Sequence, residues 1–190
     1  MRHPKSGGAL AGALVLWVAA LSAVGGPGAA AAGVRYEPPG AGFSVVFPAA
    51  PEKQSGTEGF GAFALNFTAY GVDHGGMGYF VFWFGDMPEE AVRNPNIDEI
   101  FYTQLEQEFT LRGKVGSKGE ISVAARSDVV LGRFHGRQLV FNSPVAMGVV
   151  RGYRVGRRFY AVGVLGNKAG YSAQRAVAFI ESFQLTGKKK

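Results

Sequence analysis

Two histidines, one of them next to an aspartate, are the residues best suited to metal binding or acid–base chemistry. Asp73 and His74 lie in a Gly-rich stretch, and His135 lies far along the chain beside Gly136. A protein zinc site needs three or four ligands, which in sequence usually include close pairs such as His-x-x-x-His or two spaced cysteines. The chain has no such histidine pair and contains no cysteine. We therefore predict no metal site and no cofactor.

Two further catalytic patterns fail on sequence grounds. No serine stands in the Gly-x-Ser-x-Gly turn that exposes the nucleophile of the α/β-hydrolases. The glycines and lysines of residues 113–119 resemble a phosphate-binding loop, but they lack the Gly-Lys-Ser/Thr ending. They also follow a predicted helix, whereas a phosphate loop precedes one. We interpret this stretch as a helix-to-strand connection and predict that the protein is not an enzyme.

Arginines cluster where two β-rich runs meet. The turn at residues 155–158 contains a glycine between β-branched and aromatic residues, which predicts an antiparallel hairpin. Basic residues interleaved with tyrosines can bind anionic polymers, although arginines near a hairpin tip also protect edge strands from aggregation. The candidate partner-binding residues are Arg151, Arg154, Arg157 and Arg158.

The N-terminus has the order of a secretory signal peptide. Two basic residues, Arg2 and Lys5, precede an apolar run at residues 9–24 that is shorter than the roughly 20 residues needed to span a bilayer. Small residues follow, which predicts cleavage between Ala32 and Gly33, with a retained anchor as the alternative. The absence of cysteine removes the acylated-lipoprotein route. We expect a periplasmic or secreted protein that is not an integral membrane protein after the signal is removed.

Charge is divided between the two halves of the chain. Residues 34–109 hold three basic and eleven acidic side chains, and residues 110–190 hold fifteen basic and three acidic ones. This division predicts that acidic and basic surfaces become neighbours in the folded protein. The alternative is a dedicated anionic partner for the basic half. Export argues against nucleic acid as that partner and leaves an unknown envelope protein or an anionic surface.

Alternating apolar residues predict the first strands. Phe43 to Phe47 alternate as one strand and Phe63 to Phe67 as another, with a loop at residues 51–61 between them and a connection at residues 71–78. The run Tyr79–Phe84 is apolar at every position, which is typical of a strand covered on both faces. The later predicted strands are residues 120–125, 128–134, 138–142, 147–155 and 159–164.

Two amphipathic helices accompany these strands. The first is predicted to begin after Asn96 as N-cap, with Glu99 completing a capping box, and to end at Gly113. Its apolar stripe is Ile97, Ile100, Phe101, Leu105 and Phe109. The second covers residues 172–183, and we expect it to pack on the small residues of the last strand, Ala161 and Gly163. Its predicted apolar stripe is Ala173, Ala176, Val177, Ile180 and Phe183.

The order βββ-α-βββββ-α resembles that of a known fold. Together with Gly42–Pro48 at its start and Phe179–Phe183 at its end, it is similar to the PsbP-like fold of the thylakoid-lumen photosystem II extrinsic protein, a nuclear Ran-binding factor and many exported bacterial proteins. The resemblance rests on residues 42–48 and 136–183. It implies an α+β fold in which an antiparallel sheet is sandwiched between helices (α/β/α), and a role in binding macromolecules without catalysis.

The predicted organisation therefore has four parts. A signal peptide (1–32) and a Pro/Gly tether (33–41) precede one PsbP-like domain (42–186) and a disordered basic tail (187–190). The predicted function is that of an exported, non-enzymatic binding protein of the cell envelope. The alternative is a small-ligand carrier, whose apolar pocket between sheet and helix would be lined by Phe80, Phe82, Trp83 and Tyr160.

Overall fold

The computed structural model describes residues 33–60, 63–116 and 121–187, which form ten strands and three helices. The predicted signal peptide and the basic tail beyond residue 187 lie outside the described residues. The strands are β1 (Val34–Tyr36), β2 (Phe43–Phe47), β3 (Glu52–Phe60), β4 (Phe63–His74), β5 (Met77–Phe84), β6 (Ser122–Leu131), β7 (Phe134–Asn142), β8 (Ala146–Val155), β9 (Arg158–Asn167) and β10 (Gln184–Leu185). The helices are α1 (Glu89–Val92), α2 (Ile97–Gly116) and α3 (Ala173–Glu181).

Seven strands form one antiparallel sheet in the order β3-β4-β5-β9-β8-β7-β6. A small second sheet has the order β1-β2-β10. The antiparallel α+β class is as predicted, but the element order is not. Five strands precede the first helix, four lie between α2 and α3, and β10 follows α3. The predicted order βββ-α-βββββ-α was therefore wrong.

Two of the segments that the sequence assigned to connections are strands. Residues 51–61 were predicted as a loop, yet Glu52–Phe60 is β3, an edge strand paired along its length with β4. Two of its hydroxyls bond across the pair: Thr57 donates to Asn66 Oδ1 at 2.8 Å, and Ser55 donates to Thr68 Oγ1 at 3.4 Å. The predicted tether at residues 33–41 contains β1, which pairs with β2. An edge strand needs few apolar side chains, so hydrophobic periodicity did not identify either one.

The predicted boundary between strands at residues 120–125 and 128–134 was also wrong. Residues 122–131 form one strand, β6, which carries an irregularity between Val123 and Ala125. The turn comes later, at Gly132, whose φ of 61° favours glycine. Similarly, β4 continues to His74, so the predicted connection at residues 71–78 shrinks to the two-residue turn at Gly75 and Gly76.

The apolar run of β5 is buried on both faces, as its sequence predicts. Phe80, Phe82 and Phe84 belong to one hydrophobic cluster, whereas Tyr79 and Val81 belong to a second. We call these the α2 cluster and the α3 cluster. The α2 cluster includes Ile97, Phe101, Tyr102, Leu105 and Phe109 of α2. The α3 cluster includes Phe43, Val45 and Phe47 of β2, and Ala176, Phe179 and Ile180 of α3. Since alternate residues of a strand point to opposite faces, β5 separates the two clusters.

The apolar stripe predicted for the first long helix is confirmed, but α2 continues through Gly116 and so passes the predicted end at Gly113. The closing helix differs more. Val177 is 46% exposed, and Phe179 takes its place in the buried stripe. Ala161 lies in the α2 cluster, whereas α3 packs in the cluster that holds Val162. The expectation that the closing helix covers the small side of β9 was therefore wrong.

The two segments that carry the family resemblance contact each other. Ser182 follows α3, and its hydroxyl accepts a hydrogen bond from the Val46 amide of β2 at 2.9 Å. The Phe47 ring lies 5.1 Å from that of Phe179, and the Phe43 ring lies 5.2 Å from that of Phe183. The start and end of the domain are thus joined by this amide-to-hydroxyl hydrogen bond, by two aromatic contacts and by the antiparallel pairing of β2 with β10.

Candidate functional site

The arginine hairpin forms as predicted, but its four arginines do not share one surface. Strand β8 ends at Val155 and β9 begins at Arg158. On β8, Arg154 points to the side of helix α2, where it forms an ion pair with Asp98. Arg151 is an odd number of positions away, so it points to the opposite face, which is that of the α3 cluster.

Three of these arginines hold the hairpin to neighbouring segments. Arg157 Nε donates to the carbonyl oxygen of Met87 at 2.7 Å. Arg158 donates through Nε to Asp86 Oδ1 at 2.9 Å and through a terminal nitrogen to the carbonyl oxygen of Gly40 at 2.7 Å. Together with the ion pair of Arg154 to α2, these contacts fix the hairpin tip against three other parts of the chain. These three arginines therefore stabilise the position of the hairpin.

The hairpin also positions the turn at residues 38–41. Pro39 and Gly40 are its central residues, Gly40 has a φ of 74°, and the Ala41 amide donates to the Pro38 carbonyl at 3.2 Å. Proline followed by a glycine with positive φ is typical of a type II turn. The Tyr160 hydroxyl of β9 donates to the Ala41 carbonyl at 2.8 Å. The turn is therefore anchored to β9 before β2 begins.

The predicted charge complementarity between the two halves of the chain is confirmed by ion pairs. Glu99 of α2 pairs with Arg137 of β7, and Glu106 of α2 with Arg126 of β6. Asp98 and Asp86 pair with Arg154 and Arg158, as described above. The hydrogen bond from Arg158 lowers the pKa of Asp86, and the hydrogen bond from Arg137 lowers the pKa of Glu99.

One end of the large sheet is only partly covered on the α3 side. On the α2 side of β7 and β8, Leu139 and Val150 are fully buried. On the opposite side Gly136 and Tyr153 are buried, and most of the other residues are half-buried. These are Val129 and Leu131 of β6, Phe134, Gln138 and Val140 of β7, and Met147, Val149, Arg151 and Val155 of β8. We call this surface the open face.

Arg151 lies within the open face. It is paired across the strands with Gln138 of β7, whose Oε1 accepts a hydrogen bond from Arg151 Nε at 2.8 Å. The neighbouring cross-strand pair is Val140 with Val149. Among the described residues no carboxylate forms an ion pair with Arg151. The open face is thus a largely apolar surface that contains Arg151, and a second cation, Arg133, lies over its Phe134 ring at 5.3 Å from the centroid.

The histidines do not converge. His74 ends β4 and His135 lies on β7, and β5, β9 and β8 lie between these strands in the sheet. In the described ranges there is no group of three or more histidine, aspartate or glutamate residues placed to hold a metal ion. Burial and the neighbouring Glu52 raise the pKa of Asp73. None of this assembles a catalytic arrangement.

The four aromatic residues proposed for a carrier pocket lie on two sides of the sheet. Phe80 and Phe82 belong to the α2 cluster, whereas Tyr160 belongs to the α3 cluster and Trp83 packs against it. Trp83 stacks on Tyr70 with the ring centroids 5.8 Å apart. The four side chains therefore do not line one pocket, and core packing accounts for all of them.

The described helices include none with the length and apolar character required to cross a bilayer. The described residues form an α+β fold with a seven-stranded antiparallel sheet, a small second sheet and three helices. No protein-family model matches the chain, and no curated protein matches it.

Among solved structures, the chain is similar to the solution structure of cyanobacterial PsbP (CyanoP) from Synechocystis sp. PCC 6803. The TM-score is 0.55 at 9% sequence identity, and the match covers 87% of this chain and 98% of that one. The fold is therefore PsbP-like, as the sequence resemblance predicted. An identity this low establishes the fold and carries no residue roles across.

Sequence reasoning named Arg151 as one of four candidates but did not predict which residues surround it. Gln138 and Val140 stand in a segment correctly predicted as a strand, yet nothing in the sequence shows which face α3 leaves uncovered. The one available signal was the alternation of β7, where both sets of alternating positions contain apolar residues. A strand with apolar residues on both sides is typical of cover on both faces, so this signal would have predicted burial where the structure shows partial exposure.

Proposed function

We propose that this chain is a non-enzymatic binding protein, exported by its N-terminal segment, that engages an envelope protein through the open face. The observation that carries the proposal is Arg151, a guanidinium that lies half-buried among half-buried apolar side chains and forms no ion pair with any acidic residue that the structure describes. Arginine is enriched at the energetic centres of protein interfaces, where apolar neighbours exclude water. A partner that fits this surface presents a carboxylate among apolar residues.

The proposed architecture supports this role. We propose that helices α1 and α2 form one layer, that α3 and the small sheet form the other, and that the large sheet lies between them as an α/β/α sandwich. The membership of the two hydrophobic clusters supports this arrangement. Because the second layer is short, it would leave β6, β7 and β8 accessible on its side. A rigid sheet with one accessible face is a suitable platform for a macromolecular partner.

The four-arginine site predicted from sequence becomes a narrower proposal. Arg154, Arg157 and Arg158 make contacts within the chain, so we assign them the role of holding the hairpin in place. We assign the contact with the partner to Arg151. This division makes the sites separable by mutation, because Arg151 faces away from Arg154 and lies outside the turn that holds Arg157.

The test is affinity capture from an envelope extract with three baits: wild type, Arg151→Glu and the matched control Lys168→Glu. Lys168 is exposed in the turn after β9, so its substitution changes the net charge equally. A partner retained by wild type and the control but lost with Arg151→Glu supports the proposal. Once that partner has been purified, its Kd for Arg151→Glu should be at least about thirty-fold weaker than its Kd for wild type, because breaking a buried charge pair costs about 2–5 kcal/mol. Equal recovery with all three baits would exclude the open face.

A further inference from the structure

Strand β6 offers an exposed edge for pairing with another strand. It is the outermost strand of the large sheet beside β7. Within residues 124–130, every residue except the half-buried Val129 is exposed, and Val130 is 61% exposed. An uncovered edge strand presents unpaired backbone amides and carbonyls, and proteins usually guard such edges with proline, charged side chains, lysine above all, or a β-bulge. β6 contains no proline and no lysine, its two charges are of opposite sign, and its irregularity lies near its start, between Val123 and Ala125.

The opposite edge of the sheet is different. Strand β3 carries Glu52, Lys53 and Glu58, is interrupted by Gly56 and Gly59, and follows Pro51. Glycines in the interior of a strand weaken its pairing, and β6 contains none. The two edges are therefore not equivalent, and β6 is the one whose sequence permits pairing.

The charges on β6 are arranged symmetrically about one residue. Arg126 and Asp128 flank Ser127, and all three are exposed. Asp128 lies opposite Arg137 of β7, but that guanidinium makes two hydrogen bonds to Glu99, at 2.6 and 3.0 Å. In the described part of the chain Asp128 has no hydrogen bond or ion pair of its own. A positive charge, which already pairs with Glu106 of α2, and a negative charge without an ion pair among the described residues thus stand at equal distances from Ser127.

We propose that two copies of this chain associate through β6, in antiparallel register with Ser127 of each copy at the two-fold axis. In this register Arg126 lies opposite Asp128 of the partner subunit, and the symmetry forms the same pair twice. Directly opposed charges of unlike sign stabilise an antiparallel pair, and like charges destabilise it.

The symmetry also relates the binding surfaces. Opposed residues in an antiparallel pair point to the same side of the sheet, so the two α2 helices would lie on one side of the joined sheet. The two open faces would lie together on the other side. If the proposed function is correct, the dimer presents two Arg151 side chains on one continuous surface. The pairing itself does not depend on that function.

Disulfide trapping tests the register, and the cysteine-free chain gives a clean background. Cα atoms of directly opposed residues lie about 4.5–5.5 Å apart, within the range that a disulfide spans. Ser127→Cys in the full chain should therefore form a covalent dimer on mild oxidation. The control is Val130→Cys, at a more exposed position, whose two copies would lie about 20 Å apart because six residues separate them along the strand. Unreacted Ser127→Cys, or equal trapping at both positions, would overturn the proposal.

Charge reversal tests the pairing without a covalent bond. Sedimentation velocity should show wild-type dimers, whereas R126D alone and D128R alone each oppose like charges twice in a dimer. We expect self-association to weaken about thirty-fold in each, equivalent to about 2 kcal/mol. An equimolar mixture of the two variants opposes unlike charges at every pair and should associate with an affinity close to that of wild type. A monomeric wild type, or a mixture as weak as its components, would refute the register.

Discussion

At Gly152 of β8, helix α2 lies close enough to the sheet for a quantitative prediction. A Cβ added there would lie 2.9 Å from Phe101 Cε1 and 3.2 Å from both Leu105 Cδ2 and Tyr102 Cε1. Carbon atoms in good packing contact lie about 3.5–4.0 Å apart. All three atoms belong to α2, so a methyl group at this position would push against the helix.

The cost follows from how little these neighbours can move. Phe101 is 1% exposed and stacks on Phe159 with the ring centroids 4.0 Å apart, so its ring has no free space behind it. Adding a methylene to a packed core costs about 1–3 kcal/mol. Gly152 has no positive φ, so alanine fits its backbone and recovers about 0.4–1 kcal/mol by restricting the unfolded chain. We predict that Gly152→Ala lowers the free energy of unfolding by about 1–2 kcal/mol.

Urea unfolding measures this change. Trp83 is half-buried against Tyr70 and Phe43, so its fluorescence reports on the core. The predicted loss corresponds to a fall in Tm of about 2–8 °C for a domain of this size. Gly59→Ala is the matched control, because Gly59 also lies in a strand without positive φ but has no atom within 4 Å of the added Cβ.

The control should be neutral or stabilised by a few tenths of a kcal/mol, since alanine reduces the entropy of the unfolded chain. The slope of the unfolding free energy against urea should be unchanged in both variants, because neither alters the surface exposed on unfolding. If Gly152→Ala is as stable as wild type, then α2 does not approach β8 as described, and the packing argument fails.

Two further outcomes follow from buried polar groups. Burial raises the pKa of Tyr102 and of Tyr70 to about 12 in the folded protein from 10.0. Because each phenol ionises less readily in the folded than in the unfolded protein, its contribution to the free energy of unfolding is complete below pH 10. The contribution is lost as the pH rises toward 12, by up to about 1.4 kcal/mol per pH unit for each tyrosine. Tyr102→Phe should flatten the fall of Tm over that range, and an unchanged pH profile would contradict the assignment. Ser182→Ala should cost about 1–3 kcal/mol in urea unfolding, because the Val46 amide loses its hydrogen-bond acceptor; the exposed Ser55→Ala is the control, and equal stability of the two variants would argue against the link.

Local periodicity predicted the elements whose side chains point to the core. The stripe of α2, the apolar run of β5 and the hairpin at Gly156 are each encoded within a few residues, so they could be read without tertiary information. Strand β3 could not, because its pairing with β4 comes from cross-strand contacts and not from its own pattern. Val177 was misplaced for a related reason. The pattern allows either Val177 or Phe179 on the stripe, and packing against the β2 aromatic Phe47 selects Phe179.

The sequence predicted which arginines lie near the hairpin, but it did not predict the residues that each of them contacts. The sequence showed four arginines around a hairpin, but their partners lie far away along the chain. Arg158 binds the Gly40 carbonyl across 118 positions, and Arg154 binds Asp98 across 56. Contacts at such separations depend on the strand order, which periodicity does not determine. The face to which Arg151 points followed from alternation, but its lack of an acidic partner required the complete set of neighbours.

The division of charge along the sequence explains which kind of partner the folded protein can accept. Five arginines lie on β6 to β9, and four of them form ion pairs with acidic residues from the first half of the chain. The basic character of these strands is therefore largely neutralised within the fold. A polyanion requires a row of free cations, and its binding weakens steeply with salt. Of the five arginines on these strands, Arg151 forms no ion pair with a described residue, and its setting among apolar side chains favours instead a shaped partner with one acidic group, which salt should displace only weakly because the charge pair would be buried.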